Sequence, residues 1–227
     1  MKLRAFLVTL TVLLVPAFAD EAKPEENRFA KWEKEIAAFE VSGKKKPPPK
    51  GSILFIGSST IRMWTTLAAD FSGHPVINRG FGGSQIVDST HFAERIIFPY
   101  APKQILLRAG GNDINAGKSP EQAFDDYKAF VAAVHAKLPD TEIAYIGLCP
   151  TIARIKQVAD GDRLSALIIA ESAKNPKLKF IDCASMTLGP DGQPRADLFI
   201  KDGLHFNEHG YKLLAERVRP FIMTSGK

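Results

Sequence analysis

Ile53-Leu54-Phe55-Ile56 is the stretch that most limits the fold: four consecutive apolar residues with no polar face, running straight into Gly57-Ser58-Ser59-Thr60. So short a run without alternation fits a strand covered on both faces, and such strands belong to parallel sheets whose crossovers are helices. Val76-Ile77, Ile105-Leu106-Leu107, Thr141 to Ile146 and Lys179-Phe180-Ile181 read as four more strands. Helical sequence separates them: from the first strand to about Asp70, from about Gln85 to Phe98, from Ser119-Pro120-Glu121 to about Lys137, and from about Ala159 to Lys174. Ser119 is placed as an N-cap with proline at the first helical position. A last helix runs from about Asn207 to Val218, where Pro220 helps to stop it. Five short strands separated by helices predict an α/β fold, a parallel sheet with helices on both faces. Sheets of this kind bind ligands outside the carboxyl ends of their strands.

Ahead of the sheet, Lys2 and Arg4 precede an apolar stretch from Ala5 to Pro16, and Ala17-Phe18-Ala19 is a small-x-small cleavage site. These three parts predict a signal peptide over residues 1–19 and a secreted or periplasmic product. The apolar stretch is shorter than the ~20 residues a membrane-spanning helix needs, and no cysteine follows the cleavage point to carry a lipid. Cleavage removes two of the 30 basic residues and none of the 25 acidic ones, so net charge falls from +5 to +3. That mild excess gives no reason to expect nucleic-acid binding, which wants a clustered basic patch. Phe29, Trp32, Ile36 and Phe39 recur at helical spacing, predicting a helix from about Asn27 to Phe39 that packs on the main domain. Lys44 to Lys50, with three prolines, reads as an extended linker. Only Cys149 and Cys183 occur, each at the C-terminal end of an expected strand. Free buried thiols are the favoured state, and pairing depends on a separation that sequence does not carry. No CxxC or HExxH spacing suggests a metal, and nothing calls for a cofactor.

Four polar clusters sit where the sheet would gather them. Gly57-Ser58-Ser59-Thr60 follows the first strand, Gly80-Phe81-Gly82-Gly83 the second and Gly110-Gly111-Asn112-Asp113 the third; Asp202-Gly203-Leu204-His205 precedes the last helix. Acyl transfer needs a nucleophile, a base, a group that orients the base, and donors aimed at the oxyanion. Ser59, at a strand-to-helix turn, suits the nucleophile. His205 suits the base, with Asp202 three residues earlier to hold its tautomer. The Ser59 amide, the Gly83 amide (no side chain obstructs it) and the Asn112 side-chain amide are candidate oxyanion donors. Asp113 is read as a helix cap or structural acceptor, Arg108 and Arg154 as pocket-mouth or structural residues, and His74, His91, His135 and His209 as surface or packing residues.

With these residues in place the chain resembles the SGNH, or GDSL, hydrolases over about Ser52 to Pro220. Gly57-Ser58-Ser59 matches the family's Gly-Asp-Ser block, Gly83 its second-block glycine, Gly110-Gly111-Asn112-Asp113 its Gly-x-Asn-Asp block, and Asp202-Gly203-Leu204-His205 its Asp-x-x-His block. The resemblance is nearest the acetylhydrolase-like branch. It implies a three-layer α/β/α sandwich with a five-stranded, flavodoxin-like parallel sheet, a Ser59–His205–Asp202 triad, and an oxyanion hole of Ser59, Gly83 and Asn112. It also implies hydrolysis of short-chain, chiefly acetyl, esters of small molecules or carbohydrates, with neither cofactor nor metal and no membrane anchor after cleavage. The alternative is a glycan-binding or acyl-transferring protein on the same scaffold. Ser58 departs from the family's aspartate and stands as a rival nucleophile; block alignment favours Ser59. The expected organisation is a signal peptide at 1–19, an N-terminal helix and Pro/Lys-rich linker at 20–50, and one hydrolase domain at 51–227.

Three other enzyme classes fail on spacing. Gly117-Lys118-Ser119 lacks the first P-loop glycine, because position 112 is Asn112. Gly80, Gly82 and Gly83 do not complete GxGxxG, because position 85 is Gln85. No GxSxG elbow occurs.

Overall fold

A computed structural model describes residues 28–223, and the expected signal peptide lies outside the described residues. The five strands are β1 (Ile53–Gly57), β2 (Val76–Gly80), β3 (Gln104–Arg108), β4 (Glu142–Ile146) and β5 (Leu178–Ile181). They form one sheet in the order β2-β1-β3-β4-β5, with every pair parallel. This is the flavodoxin-like order, whose topological switch point lies between β1 and β3. Strand β1 therefore has a neighbour on each side, Gly57 lying opposite both Gly80 and Arg108.

Alternation along β1 feeds two cores. Leu54 and Ile56 enter one, Ile53 and Phe55 the other, and all four are fully buried. The first core is closed by α1 (Glu33–Lys45), α4 (Ile86–His91), α5 (Ala93–Ile96), α7 (Pro120–Lys137) and α8 (Val158–Ser172). The second is closed by α2 (Ser59–Arg62), α3 (Leu67–Asp70) and α9 (Glu208–Val218). A further short helix, α6 (Gly111–Asn115), follows β3 directly. The result is the three-layer α/β/α sandwich, and truncating a β1 side chain such as Phe55 to alanine should cost ~3–5 kcal/mol.

Helix ends explain much of the register. Ser119 caps α7 reciprocally: its Oγ accepts the Gln122 amide at 3.1 Å, and Gln122 Oε1 accepts the Ser119 amide at 2.9 Å. Asn207 caps α9 by accepting the Gly210 amide at 3.0 Å.

Four expectations need correction. The helix expected from β1 to Asp70 is two short helices, α2 and α3, because Trp64 turns into the core. Its ring packs on Phe55 and Tyr211, and its indole donates to Asp70 at 2.7 Å. The helix expected over 85–98 breaks at Phe92, whose buried ring meets Phe81 edge-on. The N-terminal helix does not end at Phe39, and Lys44 and Lys45 are not linker. They form the last turn of α1, where lysines complement the helix dipole, and Pro47 follows one residue after the C-cap. Finally, α6 has no counterpart among the expected helices, since five residues carry no helical period.

Candidate active site

The turn that carries Ser59 starts from a glycine whose place a side chain could not take. Gly57 has φ +137°, and a Cβ placed there would lie 2.0 Å from the Arg108 carbonyl oxygen. The close approach lets that same carbonyl accept the Ser58 amide at 3.0 Å, which fixes the exit of β1. Ser58 is extended and forms the N-cap of α2. Ser59 is the first residue of that helix, so its amide has no acceptor in the turn it opens.

Across the cleft, the segment before α9 folds back on itself. Asp202 Oδ1 accepts the amides of Leu204 at 2.9 Å and His205 at 3.0 Å. Asp202 Oδ2 lies 2.6 Å from His205 Nδ1, and His205 Nε2 lies 2.8 Å from Ser59 Oγ. A carboxylate accepts only, so Nδ1 carries the proton and Nε2 presents its lone pair to the serine hydroxyl. The hydrogen bond from His205, then the backbone amides of His205 and Leu204, hold the Asp202 carboxyl down at about 2. It is thus a carboxylate at neutral pH. Ser58 also faces the cleft, but the imidazole bonds Ser59.

Asn112, on α6, lines the same cleft. Its Oδ1 accepts from Arg154 Nη2 at 2.8 Å, and its Nδ2 donates to the Ser84 carbonyl at 3.0 Å. A guanidinium only donates and a carbonyl only accepts, so the orientation of the amide is unambiguous. One N–H of the amide remains for another acceptor. Gly83, at φ +74°, adjoins the residue whose carbonyl holds Asn112 and is exposed. Asp113 points away from the cleft. It is fully buried and both its oxygens accept the Ile86 amide at 3.2 Å, tying the β3 loop to the start of α4; burial raises its carboxyl. It is the structural acceptor that the sequence suggested.

The cleft holds a cavity of about 90 Å³, lined by Ser59, Ala109, Asn112, Leu148, Cys149 and His205 among others. Arg108 and Arg154 both border it. Arg108 is spent on structure, donating to the carbonyls of Ile146 and Gly147 at the end of β4. Arg154 is half-buried and forms no ion pair among the described residues; burial, then the charge of Arg108, lowers it below the usual guanidinium value. Its bond to Asn112 has no signal in the sequence, because it joins positions 42 residues apart. Cys149 and Cys183 are free thiols, with Cys149 Sγ donating to the Cys183 carbonyl at 3.2 Å. The other histidines lie outside this arrangement: His91 stacks on Phe29, His135 meets the Thr141 carbonyl, and His209 approaches Asp197 at 3.4 Å. Among the described residues no group of three or more His, Cys, Asp or Glu side chains is placed to hold a metal ion.

A flavodoxin-like sheet with a hydroxyl–imidazole–carboxylate chain at its switch-point edge defines an SGNH-type hydrolase scaffold. Residues 56–213 match the GDSL-like Lipase/Acylhydrolase family, and the chain belongs to that family as a GDSL-type ester hydrolase. No curated protein matches it in sequence. Solved structures share the fold at low identity. One from Streptococcus pneumonia, named for platelet activating factor, superposes with a TM-score of 0.72 at 22% identity, covering 86% of this chain and 95% of that one. A GDSL-like lipase from Bacteroides thetaiotaomicron gives 0.65 at 16% identity, covering 86% and 96%. An acetyl xylan esterase gives 0.62 at 18% identity, covering 76% and 100%.

Proposed function

We propose that this hydrolase is a serine esterase that removes short acyl groups, chiefly acetyl, from small-molecule or carbohydrate esters. The hydrogen-bonded chain from Asp202 through His205 to Ser59 carries the reading. Ser59 Oγ attacks the ester carbonyl while His205 Nε2 takes its proton, and Asp202 steadies the imidazolium that forms. The tetrahedral oxyanion is met by the Ser59 amide, the Gly83 amide and the free N–H of Asn112. His205 then returns its proton to the leaving alkoxide. A water deprotonated by the same imidazole releases the acid and restores the serine.

The short-acyl preference rests on the cavity. At about 90 Å³ it is smaller than the ~150 Å³ that accommodates benzene, so it suits a two-carbon acyl group better than a dodecanoyl chain. The acetyl xylan esterase among its structural relatives suits the same reading. Export through residues 1–19 is part of the proposal, and N-terminal sequencing of the mature protein checks it.

A fluorophosphonate probe and two nitrophenyl esters test the proposal. Covalent labelling should fall on Ser59, and kcat/KM for the acetate should exceed that for the dodecanoate by ~10-fold or more. Absence of labelling would favour a binding protein on the same scaffold. A preference for the dodecanoate, measured below its micelle-forming concentration, would make a lipase the better description.

A further inference from the structure

The Gly83 amide hydrogen and the Gly82 carbonyl belong to one peptide unit. In a trans peptide they point in opposite directions, and the described chain contains no cis bond. That unit sits between two glycines, so side chains do little to stop it from turning over. Among the described residues one hydrogen bond holds it. The indole Nε1–H of Trp32 donates to the Gly82 carbonyl oxygen at 2.8 Å. Indole can only donate, and Trp32 is 4% exposed, so the donor side of the bond is shielded from water while the Gly82 acceptor is half-buried. The Gly83 amide itself donates to no protein acceptor among the described residues.

Trp32 is in turn firmly seated. Its ring meets Phe81 edge-on with centroids 5.5 Å apart. The segment around it is fastened at three further places: Arg28 pairs with buried Asp88 at 2.9 Å, Arg95 bridges Glu33 and Glu40 of α1, and Ile36 is fully buried.

We propose that Trp32 is a positioning residue for the oxyanion site. By holding the Gly82 carbonyl it keeps the Gly83 N–H turned away from the indole and available to the developing oxyanion. A hydrogen bond to the carbonyl also polarises the peptide, which makes its N–H a better donor. The segment ahead of the sheet is then a working part of the active site, reaching it through a single indole hydrogen. This rests on the oxyanion role proposed above for Gly83.

The test is to remove that hydrogen and little else. Trp32→Phe does so at the cost of ring area, and replacing Trp32 by 3-benzothienylalanine puts sulfur in place of N–H at nearly constant shape. Both should lower kcat on nitrophenyl acetate by ~3- to 10-fold, as the net loss of one ordinary hydrogen bond predicts, with KM changed less than ~2-fold. The rate of fluorophosphonate labelling should fall in parallel, because that adduct also carries an oxygen in the oxyanion site. Ile36→Val loosens α1 without touching the bond and should leave kcat as it is. Wild-type kcat in the benzothienyl protein would overturn the proposal, as would equal losses in it and in Ile36→Val. Full activity in Ser59→Ala would overturn the underlying esterase reading as well, so the two failures are told apart.

Discussion

Arg154→Met isolates the contact that orients Asn112. The lost interaction is a hydrogen bond of 2.8 Å from a charged donor to Oδ1. Bonds of that kind contribute ~1.5–3 kcal/mol, and partial exposure of the guanidinium moves this one to the low end. The amide does not come free, because Nδ2 is still held by the Ser84 carbonyl at 3.0 Å. A loss of about 1.4 kcal/mol in the transition state is tenfold in rate. Arg154→Met should therefore lower kcat ~10-fold, short of the ~10²–10³-fold expected for deleting the donor itself in Asn112→Ala. The assay is a double-mutant cycle on nitrophenyl acetate, with kcat and KM resolved. If Arg154 works through Asn112, the double variant is no slower than Asn112→Ala alone. If Arg154→Met costs the same tenfold in the Asn112→Ala background, it acts on substrate directly and the positioning account is refuted.

Ser59→Ala should lower kcat by ~10³-fold or more while Ser58→Ala keeps most activity, and the reverse result would move the nucleophile to Ser58. Gly57→Ala should fail to fold or lose several kcal/mol in chemical denaturation, because its methyl group would meet the Arg108 carbonyl at 2.0 Å; a wild-type midpoint would show that the strand ends can part. Asp202→Asn should reduce kcat ~10²–10⁴-fold with little change in Tm, since the side chain is 42% exposed and acts by setting the tautomer of His205. A carboxyl depressed to about 2 contributes above its unfolded value and loses that contribution only as pH falls through about 2. The Asp202–His205 contact should thus show no carboxylate titration between pH 4 and 8 by NMR.

The β-strands were legible because double-sided burial leaves no room for polar residues, and Ile53 to Ile56 records that directly. The polar clusters at Ser59 and Asn112 were legible because a parallel sheet delivers its strand ends to one edge, whereas His205 lies in the segment before α9, well beyond β5, and was grouped with them by its Asp-x-x-His spacing. Helix continuity was not. Periodicity carried the chain through Trp64 and Phe92, yet both rings leave the helix path to fill the core, a choice made by partners such as Phe55 and Phe81. Trp32 was visible as one member of an apolar stripe, but which acceptor its indole would find 50 residues away was not. The Arg154–Asn112 bond was hidden for the same reason: side-chain partners across a fold leave no spacing in the sequence.

Cys149, a free thiol, lines the same small cavity as Ser59. This has a practical consequence for inhibitor profiling. A carboxamidomethyl group on Cys149 would occupy the space an acetyl group needs, so iodoacetamide would inhibit by filling the cavity rather than by consuming the nucleophile. An inactivation of that kind would imitate a cysteine hydrolase. Cys149→Ala should abolish the sensitivity to alkylation and retain turnover, and the size of acyl group it accepts should widen.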